Sequence, residues 1–146
     1  MYYLDTSALV KRYVSEVGSN IVDEVFKDAY RGVKVLSFSY WNIAEAFVVF
    51  DKYERGLGLD AKKLLRDMLR EAKTLLRLRK LLVIGISPSI LRNSIELVLK
   101  HHMYVADALQ IVSARRANSS ILVTGDRRLA VIAEKEGLKI LCIGNR

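Results

Sequence analysis

The sequence contains few of the residues that cross-link or break a chain: one cysteine, one proline and eight glycines among 146 residues. A single cysteine, Cys142, excludes an intrachain disulfide and is compatible with a reducing compartment. Because Cys142 lies in the run Lys-Ile-Leu-Cys-Ile, we expect it to be buried in a strand. The scarcity of proline and glycine leaves little room for a linker, and the length suits one domain, which we expect to cover residues 1–146.

Long hydrophobic runs are also missing. A membrane-spanning helix needs about 20 mostly apolar residues, whereas the most apolar segment, residues 43–50, is short and carries Glu45. The opening Met-Tyr-Tyr-Leu-Asp has neither a basic start nor a long apolar stretch, so it does not resemble a secretory signal. We therefore expect a soluble, cytoplasmic protein without a membrane partner.

Acidic residues are outnumbered by basic ones. Lysine and arginine total 24 against 16 aspartates and glutamates, and the net charge of +8 favours an anionic partner such as nucleic acid or an acidic protein. Residues 60–80 have helical periodicity, which predicts that Leu69 and Leu76 lie on the buried face. The opposite face carries six cations, called the basic stripe below: Lys62, Lys63, Arg66, Arg70, Lys73 and Arg77. Such a stripe is either a solvated face or a surface that contacts RNA phosphates or an acidic partner.

Short runs rich in Val, Ile and Leu alternate with segments of helical periodicity. The predicted strands cover residues 2–4, 33–36, 81–86, 121–123 and 138–143. Predicted helices begin near residues 8, 19, 40, 60, 88, 104 and 127. Strands that are apolar throughout and alternate with helices indicate an α/β fold, with a parallel sheet covered by helices on both faces.

Four acids stand in surroundings that do not suit an ordinary surface carboxylate: Asp5, Glu45, Asp107 and Asp126. Asp5 and Asp126 each follow a predicted strand, so the topology brings them to one edge of the sheet, where ligands bind in open α/β folds. Glu45 and Asp107 lie among apolar residues of predicted helices. Buried carboxylates pair with a cation or bind metal, because an isolated one is costly to remove from water. Gathered together, the four would form a site for a hard cation such as Mg²⁺ or Mn²⁺.

Each of these acids also has an ordinary structural explanation. Asp5 and Asp126 are suitable helix N-caps. Glu45 or Asp107 can form a buried salt bridge, for which the candidate partners are Arg12, Arg115 and Arg116. Nearby hydroxyls can hold a carboxylate or a metal-bound water in place, or act only in caps and turns. They belong to Thr6, Ser7 and Thr124.

The motifs around the four acids, taken together, resemble a PIN domain, in particular the VapC toxins of prokaryotic toxin–antitoxin systems. They are Tyr-Leu-Asp-Thr-Ser-Ala-Leu at the amino terminus, Ala-Glu-Ala in the middle, Ala-Asp-Ala-Leu-Gln, and Leu-Val-Thr-Gly-Asp-Arg-Arg-Leu. The resemblance covers essentially the whole chain, and the order and spacing of all four motifs agree with the family.

The resemblance implies a three-layer α/β/α sandwich around a parallel five-stranded sheet, and a Mg²⁺- or Mn²⁺-dependent endoribonuclease. It also implies a homodimer that a cognate antitoxin holds inactive by covering the site with its tail. The family's acidic quartet falls on Asp5, Glu45, Asp107 and Asp126. Its hydroxyl positions fall on Thr6 or Ser7 and on Thr124.

These assignments lead to a hypothesis for the mechanism. Asp5, Asp107 and Asp126 bind one divalent ion directly or through water, while Glu45 completes the site or helps to hold a second ion. A haloacid-dehalogenase-type phosphatase is a poor fit, because it needs a second acid two residues after the first, where this chain has Ser7. Two alternatives stay open: a non-catalytic PIN-like module that binds RNA or a partner, and a housekeeping RNA-processing nuclease.

Overall fold

One parallel sheet organises the protein. The computed structural model describes residues 1–144, so the last two residues of the predicted domain lie outside the described part. Its strands are β1 (Tyr2–Leu4), β2 (Leu36–Ser39), β3 (Leu81–Ile84), β4 (Ile121–Thr124) and β5 (Lys139–Cys142). They lie in the order β3-β2-β1-β4-β5, and every neighbouring pair is parallel. The predicted five-stranded parallel sheet is confirmed.

Seven helices connect and cover these strands within residues 1–144. They are α1 (Thr6–Val10), α2 (Ser19–Tyr30), α3 (Tyr40–Leu57), α4 (Ala61–Arg77), α5 (Pro88–His101), α6 (Val105–Arg116) and α7 (Arg127–Lys135). Polar side chains fix several of the helix starts. Ser39, Asp60 and Ser87 each accept a backbone N–H from the first turn of α3, α4 and α5, respectively, as N-cap residues do. The predicted starts of these three helices therefore agree with the structure to within one residue.

The sheet separates two hydrophobic cores. On one face, Leu4 packs with residues of α1 to α4, among them Phe50. On the other face, Tyr3 packs with residues of α5, α6 and α7, among them Ile111 and Leu129. Tyr3 and Leu4 enter opposite cores because successive strand side chains point to opposite faces. Helices therefore cover both faces of the sheet, which confirms the predicted three-layer α/β/α sandwich.

The predicted position of the second strand is wrong by three residues. Gly32 has a φ of +78°, and the backbone N–H groups of Val33 and Lys34 both bond to the carbonyl of Asp28 at the end of α2. Val33 and Lys34 are therefore used to leave the helix, and Val33 is 62% exposed. Valine has a high strand propensity, but Val33 lies in this turn and Val35 contributes only its carbonyl, which accepts the backbone N–H of Tyr2. The strand therefore begins at Leu36.

Three buried positions were also predicted wrongly. Leu69 and Leu76 of α4 are 43% and 47% exposed, because Met68 and Leu75 already fill the contact between this helix and the core. Cys142 is exposed, because β5 is an edge strand of the sheet. In residues 1–144, no helix combines the length and apolar character that a membrane crossing requires.

Candidate active site

The four acids come from separate segments that meet at the carboxyl edge of the sheet. Asp5 directly follows β1, and Asp126 follows the neighbouring strand β4 after one intervening residue. Glu45 lies in the second turn of α3 and Asp107 in the first turn of α6. All four line one cavity of about 180 Å³, called the acid cavity below, together with Thr6, Ser7 and Gln110.

Asp5 is the most buried of the four acids, with only 4% of its surface exposed. Its carboxylate accepts hydrogen bonds from the hydroxyls of Ser7 and Thr124 and from the backbone N–H of Ala8. Asp5 therefore does cap a helix, and α1 begins at Thr6, two residues earlier than predicted. Burial nevertheless raises the pKa of Asp5 to about 6, because these hydrogen bonds only partly offset the lost hydration, and the charge of Asp126 adds to the rise.

Glu45 is held by a chain of hydrogen bonds whose directions are determined. The backbone N–H of Ser39 donates to Asn42 Oδ1 at 2.7 Å, which leaves the Asn42 amide nitrogen as the donor to Thr6 Oγ1 at 2.9 Å. Thr6 then gives its own proton to Glu45 Oε1, 2.7 Å away. The Thr6 hydroxyl thus fixes one carboxylate of the acid cavity, as Ser7 and Thr124 fix another.

Asp107 and Asp126 face the same cavity in different ways. Burial raises the pKa of Asp107, the charges of Asp126 and Glu45 raise it further, and Arg128 acts in the opposite direction. Asp126 caps α7, because its Oδ1 accepts from the backbone N–H groups of Arg128 and Leu129 at 2.9 and 3.2 Å. The repulsion among these acids shows that the cavity concentrates negative charge in a protein that is cationic as a whole.

The predicted alternative of a buried salt bridge to Glu45 or Asp107 is wrong. Arg12 pairs with Glu71 and Asp23. The other two candidates, Arg115 and Arg116, bond to Glu136 and to the hydroxyl of Ser89, respectively. None of the three arginines neutralises an acid of the cavity.

Sequence reasoning missed two buried amides, Asn42 and Gln110, which are 0% and 3% exposed. Gln110 Oε1 accepts from the Asn42 amide at 2.8 Å and lies 2.9 Å from the Tyr3 hydroxyl. Each amide is three residues from an acid on its own helix, Asn42 before Glu45 and Gln110 after Asp107. This spacing places them on the same helix face as the acids and was a readable signal.

The basic stripe lies apart from these residues. Its six side chains are exposed on α4, whereas the lining of the acid cavity comes from residues next to β1 and β4 and from α3 and α6. The predicted leucine face opposite the stripe is only partly buried, so α4 presents both charge and apolar surface to solvent.

The donors in the acid cavity suit a hard divalent cation, since carboxylate oxygens are the ligands that Mg²⁺ and Mn²⁺ prefer. Within residues 1–144, however, no three His, Cys, Asp or Glu side chains are arranged so that they could hold a metal ion as they stand. Mg²⁺ usually keeps several waters and takes only one or two carboxylates. A cavity of about 180 Å³ has space for an ion with part of its water shell.

The sequence matches the PIN domain family over residues 2–135, and the chain therefore belongs to this family. PIN domains are generally nucleases. No curated protein matches the sequence at a significant level.

Three solved structures illustrate the shared fold. The protein PAE2754 of Pyrobaculum aerophilum is 20% identical with a TM-score of 0.66, and the match covers 95% of this chain and 82% of that one. The toxin VapC20 of Mycobacterium tuberculosis, which cleaves the sarcin–ricin loop, is 13% identical with a TM-score of 0.65 and coverage of 90% and 94%. The VapBC2 complex of Rickettsia felis, bound to promoter DNA, contains a chain that is 18% identical, with a TM-score of 0.62 and coverage of 97% for both chains.

Proposed function

We propose that this protein is a Mg²⁺- or Mn²⁺-dependent endoribonuclease that hydrolyses RNA phosphodiester bonds. The observation that carries the proposal is the acid cavity: four carboxylates from four separate segments line one small space in a chain of net charge +8. Arg12, Arg115 and Arg116 pair with other groups instead. Membership in the PIN domain family supports the same reaction class.

The four acids of the cavity and the three hydroxyls that hold them have proposed roles. Asp5, Glu45, Asp107 and Asp126 are the catalytic acids and would hold the metal. When bound, the ion would lower the pKa of a water and offset the charge that develops on the phosphate. Ser7 and Thr124 fix the Asp5 carboxylate, and Thr6 fixes Glu45, so the acids keep their orientation.

We further propose a toxin role, in which residues 1–146 form a single PIN domain that dimerises and is inhibited by a cognate antitoxin. The similarity to VapC20 and to the VapBC2 complex supports this role, as does the similarity to a toxin–antitoxin complex from Klebsiella pneumoniae. In this proposal, the basic stripe contacts RNA or the antitoxin.

A non-catalytic PIN-like module is the competing function. The arrangement of the acids favours it, since no three potential ligands in residues 1–144 are ready to hold a metal. A pure binding module, however, has no use for four carboxylates where an RNA phosphate would approach. Metal-dependent cleavage distinguishes the two functions.

The test is cleavage of a panel of structured RNAs in Mg²⁺, Mn²⁺ or EDTA by the wild type and by Asp5→Asn. We expect cleavage only with metal, and a loss of at least about 100-fold in the variant, the scale seen when one group that stabilises a transition state is removed. Asp60→Asn is the matched control, because Asp60 caps α4 away from the acid cavity and asparagine caps equally well. Cleavage by Asp5→Asn at the wild-type rate would contradict the proposal.

A further inference from the structure

A second cavity, of about 680 Å³, opens beside the acid cavity. The two share Thr6, Ser7 and Asp126 as common walls. This second space, called the side cavity below, is also lined by Val10, Lys11, Glu16, Val49, Gly125, Arg127 and Gly144. Its volume lies within the range of roughly 300–1,000 Å³ that is typical of small-molecule sites.

Gly125 keeps the side cavity open. A Cβ at this position would lie 3.4 Å from Ser7 Oγ and 3.5 Å from the Cε atom of Lys11, so it would fill the space between these two side chains without a clash. The Gly125 backbone N–H donates to Ser7 Oγ at 2.8 Å, which holds the turn against the start of α1. The missing side chain therefore leaves the lysine accessible from the direction of the acids.

Lys11 places a positive charge inside this space. Its side chain is only 13% exposed, and its ammonium group lies 3.5 Å from Glu16 Oε1, a loose ion pair. Glu16 is separately held by the Tyr53 hydroxyl, which donates to Oε2 at 3.0 Å. The ammonium group is thus held in position and can exchange Glu16 for another anion. Val10 and Val49 supply an apolar wall next to it.

We infer that the side cavity binds the nucleotide next to the scissile phosphate of RNA, with Lys11 as its phosphate contact and the wall of Val10 and Val49 against its base or ribose. This inference rests on the proposed ribonuclease function. Three features fit a nucleotide next to the scissile phosphate: the walls shared with the acid cavity, the largely covered ammonium group of Lys11 for a phosphate, and the apolar surface for a base or ribose. Lys11 is therefore a substrate-binding residue that lies outside the four acidic motifs.

Nucleotide binding can be measured without metal and without cleavage. We would follow backbone amide signals of the ¹⁵N-labelled full chain in EDTA while adding each of the four nucleoside 5′-monophosphates, and separately the nucleosides. The expected shifts lie at Lys11, Gly125 and Val49. Absence of shifts there with every nucleotide would overturn the inference and would favour a protein segment as the occupant.

Two variants test the contacts. Lys11→Met keeps the length of the side chain but removes its charge, and it should raise the Kd for the monophosphates about tenfold, the loss of one charge-assisted hydrogen bond, while leaving nucleoside binding unchanged. Lys139→Met is the matched control, because Lys139 is exposed at the amino end of β5. An equal loss for nucleosides and nucleotides in Lys11→Met would overturn the assignment of the phosphate contact. Gly125→Ala should weaken the binding of both ligands, because its methyl group occupies the cavity.

Glu16→Gln separates a binding role from a structural one. It removes the anion that competes for Lys11 and should tighten monophosphate binding roughly twofold to fivefold. If the pair with Glu16 served only to hold the fold, the same change would leave binding unchanged or weaken it, and the inference would fail.

The RNA cleavage assay shows which of the two proposals is wrong if either fails. In Lys11→Met we expect KM to rise while kcat changes little, since Lys11 does not contact the acids. A wild type that binds nucleotides in the side cavity but cuts no RNA would contradict the ribonuclease proposal alone. Equal KM values for the wild type and Lys11→Met would contradict the proposed nucleotide binding in the side cavity and leave the ribonuclease proposal intact.

Discussion

Asp5 shows how a proposed catalytic residue can also lower the stability of the fold. Its carboxylate is buried beside Asp126, and burial raises its pKa to about 6 from an ordinary value of 3.8. The protein therefore holds a group at neutral pH in a charge state that the fold disfavours. A bound cation would relieve this cost, which is how a metal site can be destabilising while it is empty.

The raised pKa of Asp5 predicts how the stability of the metal-free protein depends on pH. Because the pKa of Asp5 is higher in the folded than in the unfolded state, its stabilising contribution is present below about pH 4 and is lost as the pH rises through 6. This shift in the pKa of Asp5 corresponds to a change of roughly 3 kcal/mol at most in the free energy of unfolding. In EDTA, Asp5→Asn should be more stable than the wild type at pH 7.5, and the difference should shrink at pH 4.5. Urea denaturation at the two pH values measures this, and a variant that is less stable at pH 7.5 would contradict it.

At the residue scale, the acids stood out in the sequence by themselves, whereas the amides could be recognised only by their spacing from the acids. A carboxylate among apolar neighbours needs an explanation, so Glu45 and Asp107 were conspicuous. Asn42 and Gln110 were not, because neutral amides have many ordinary uses in helices. The direction of their hydrogen bonds, and hence the role of Thr6, depends on contacts across the sheet that no local pattern contains.

At the scale of elements, one glutamate links three segments. Glu71 of α4 receives two hydrogen bonds from Arg12, just after α1, and others from Tyr13 and from Tyr30 at the end of α2. Burial alone would raise the pKa of Glu71, but these donors outweigh it and the pKa is lowered. Arg12 also lies over the ring of Phe26, 4.8 Å from its centre. Phe26 belongs to the hydrophobic core that contains Leu4.

Replacing Glu71 by glutamine should therefore destabilise the packing of α4 on α1 and α2. The change weakens bonds to a charged, partly buried partner, and we expect the free energy of unfolding to fall by about 1–3 kcal/mol. Because the pKa of Glu71 is lower in the folded than in the unfolded state, its contribution to the free energy of unfolding is present at neutral pH. This contribution is lost as the pH falls through the folded-state pKa. Glu24→Gln is the control, because its pair with Lys27 is fully exposed and should contribute nothing measurable. Equal chemical denaturation midpoints for the two variants would contradict this account.

Helix starts were more predictable than the ends and faces of elements. Ser39, Asp60 and Ser87 mark helix starts because a cap is a local hydrogen bond. The shift of β2 and the exposure of Leu69 are decided by tertiary packing, which a periodic pattern does not contain. The meeting of Asp5 and Asp126 was predictable because both follow neighbouring strands, whereas Glu45 and Asp107 come from helices and were recognised by their apolar neighbours and by the family motifs.

At the scale of the whole molecule, charge is divided between a negative cavity and a positive exterior. The acids lie in one small space, while the basic stripe covers an exposed face of α4. An RNA chain would be attracted by the exterior and brought to the acids, where a divalent ion would be needed to accept its phosphate. The overall alternation of strands and helices made this architecture predictable, whereas the position of the stripe relative to the site was not.

If the basic stripe contacts RNA, its charges should set the salt dependence of binding. In an Asp5→Asn background that prevents cleavage, changing Arg66 and Arg70 to glutamine should reduce the slope of log affinity against log salt by about 0.7–0.9 per lost contact. The matched control changes two exposed lysines elsewhere, Lys135 and Lys139, to glutamine. A gel-shift series from 50 to about 200 mM salt would measure the slopes, and identical slopes in both variants would show that the stripe is only a solvated face.

In the proposed function, the acid cavity binds the divalent ion with which RNA is cut. The most direct test is one Mn²⁺ titration read in two ways, by calorimetric binding to the protein and by the rate of RNA cleavage. We predict a single Kd that describes both curves, with binding heat and cleavage both lost in Asp107→Asn. Cleavage that persists in EDTA, or Mn²⁺ binding that is unchanged in Asp107→Asn, would contradict the claim.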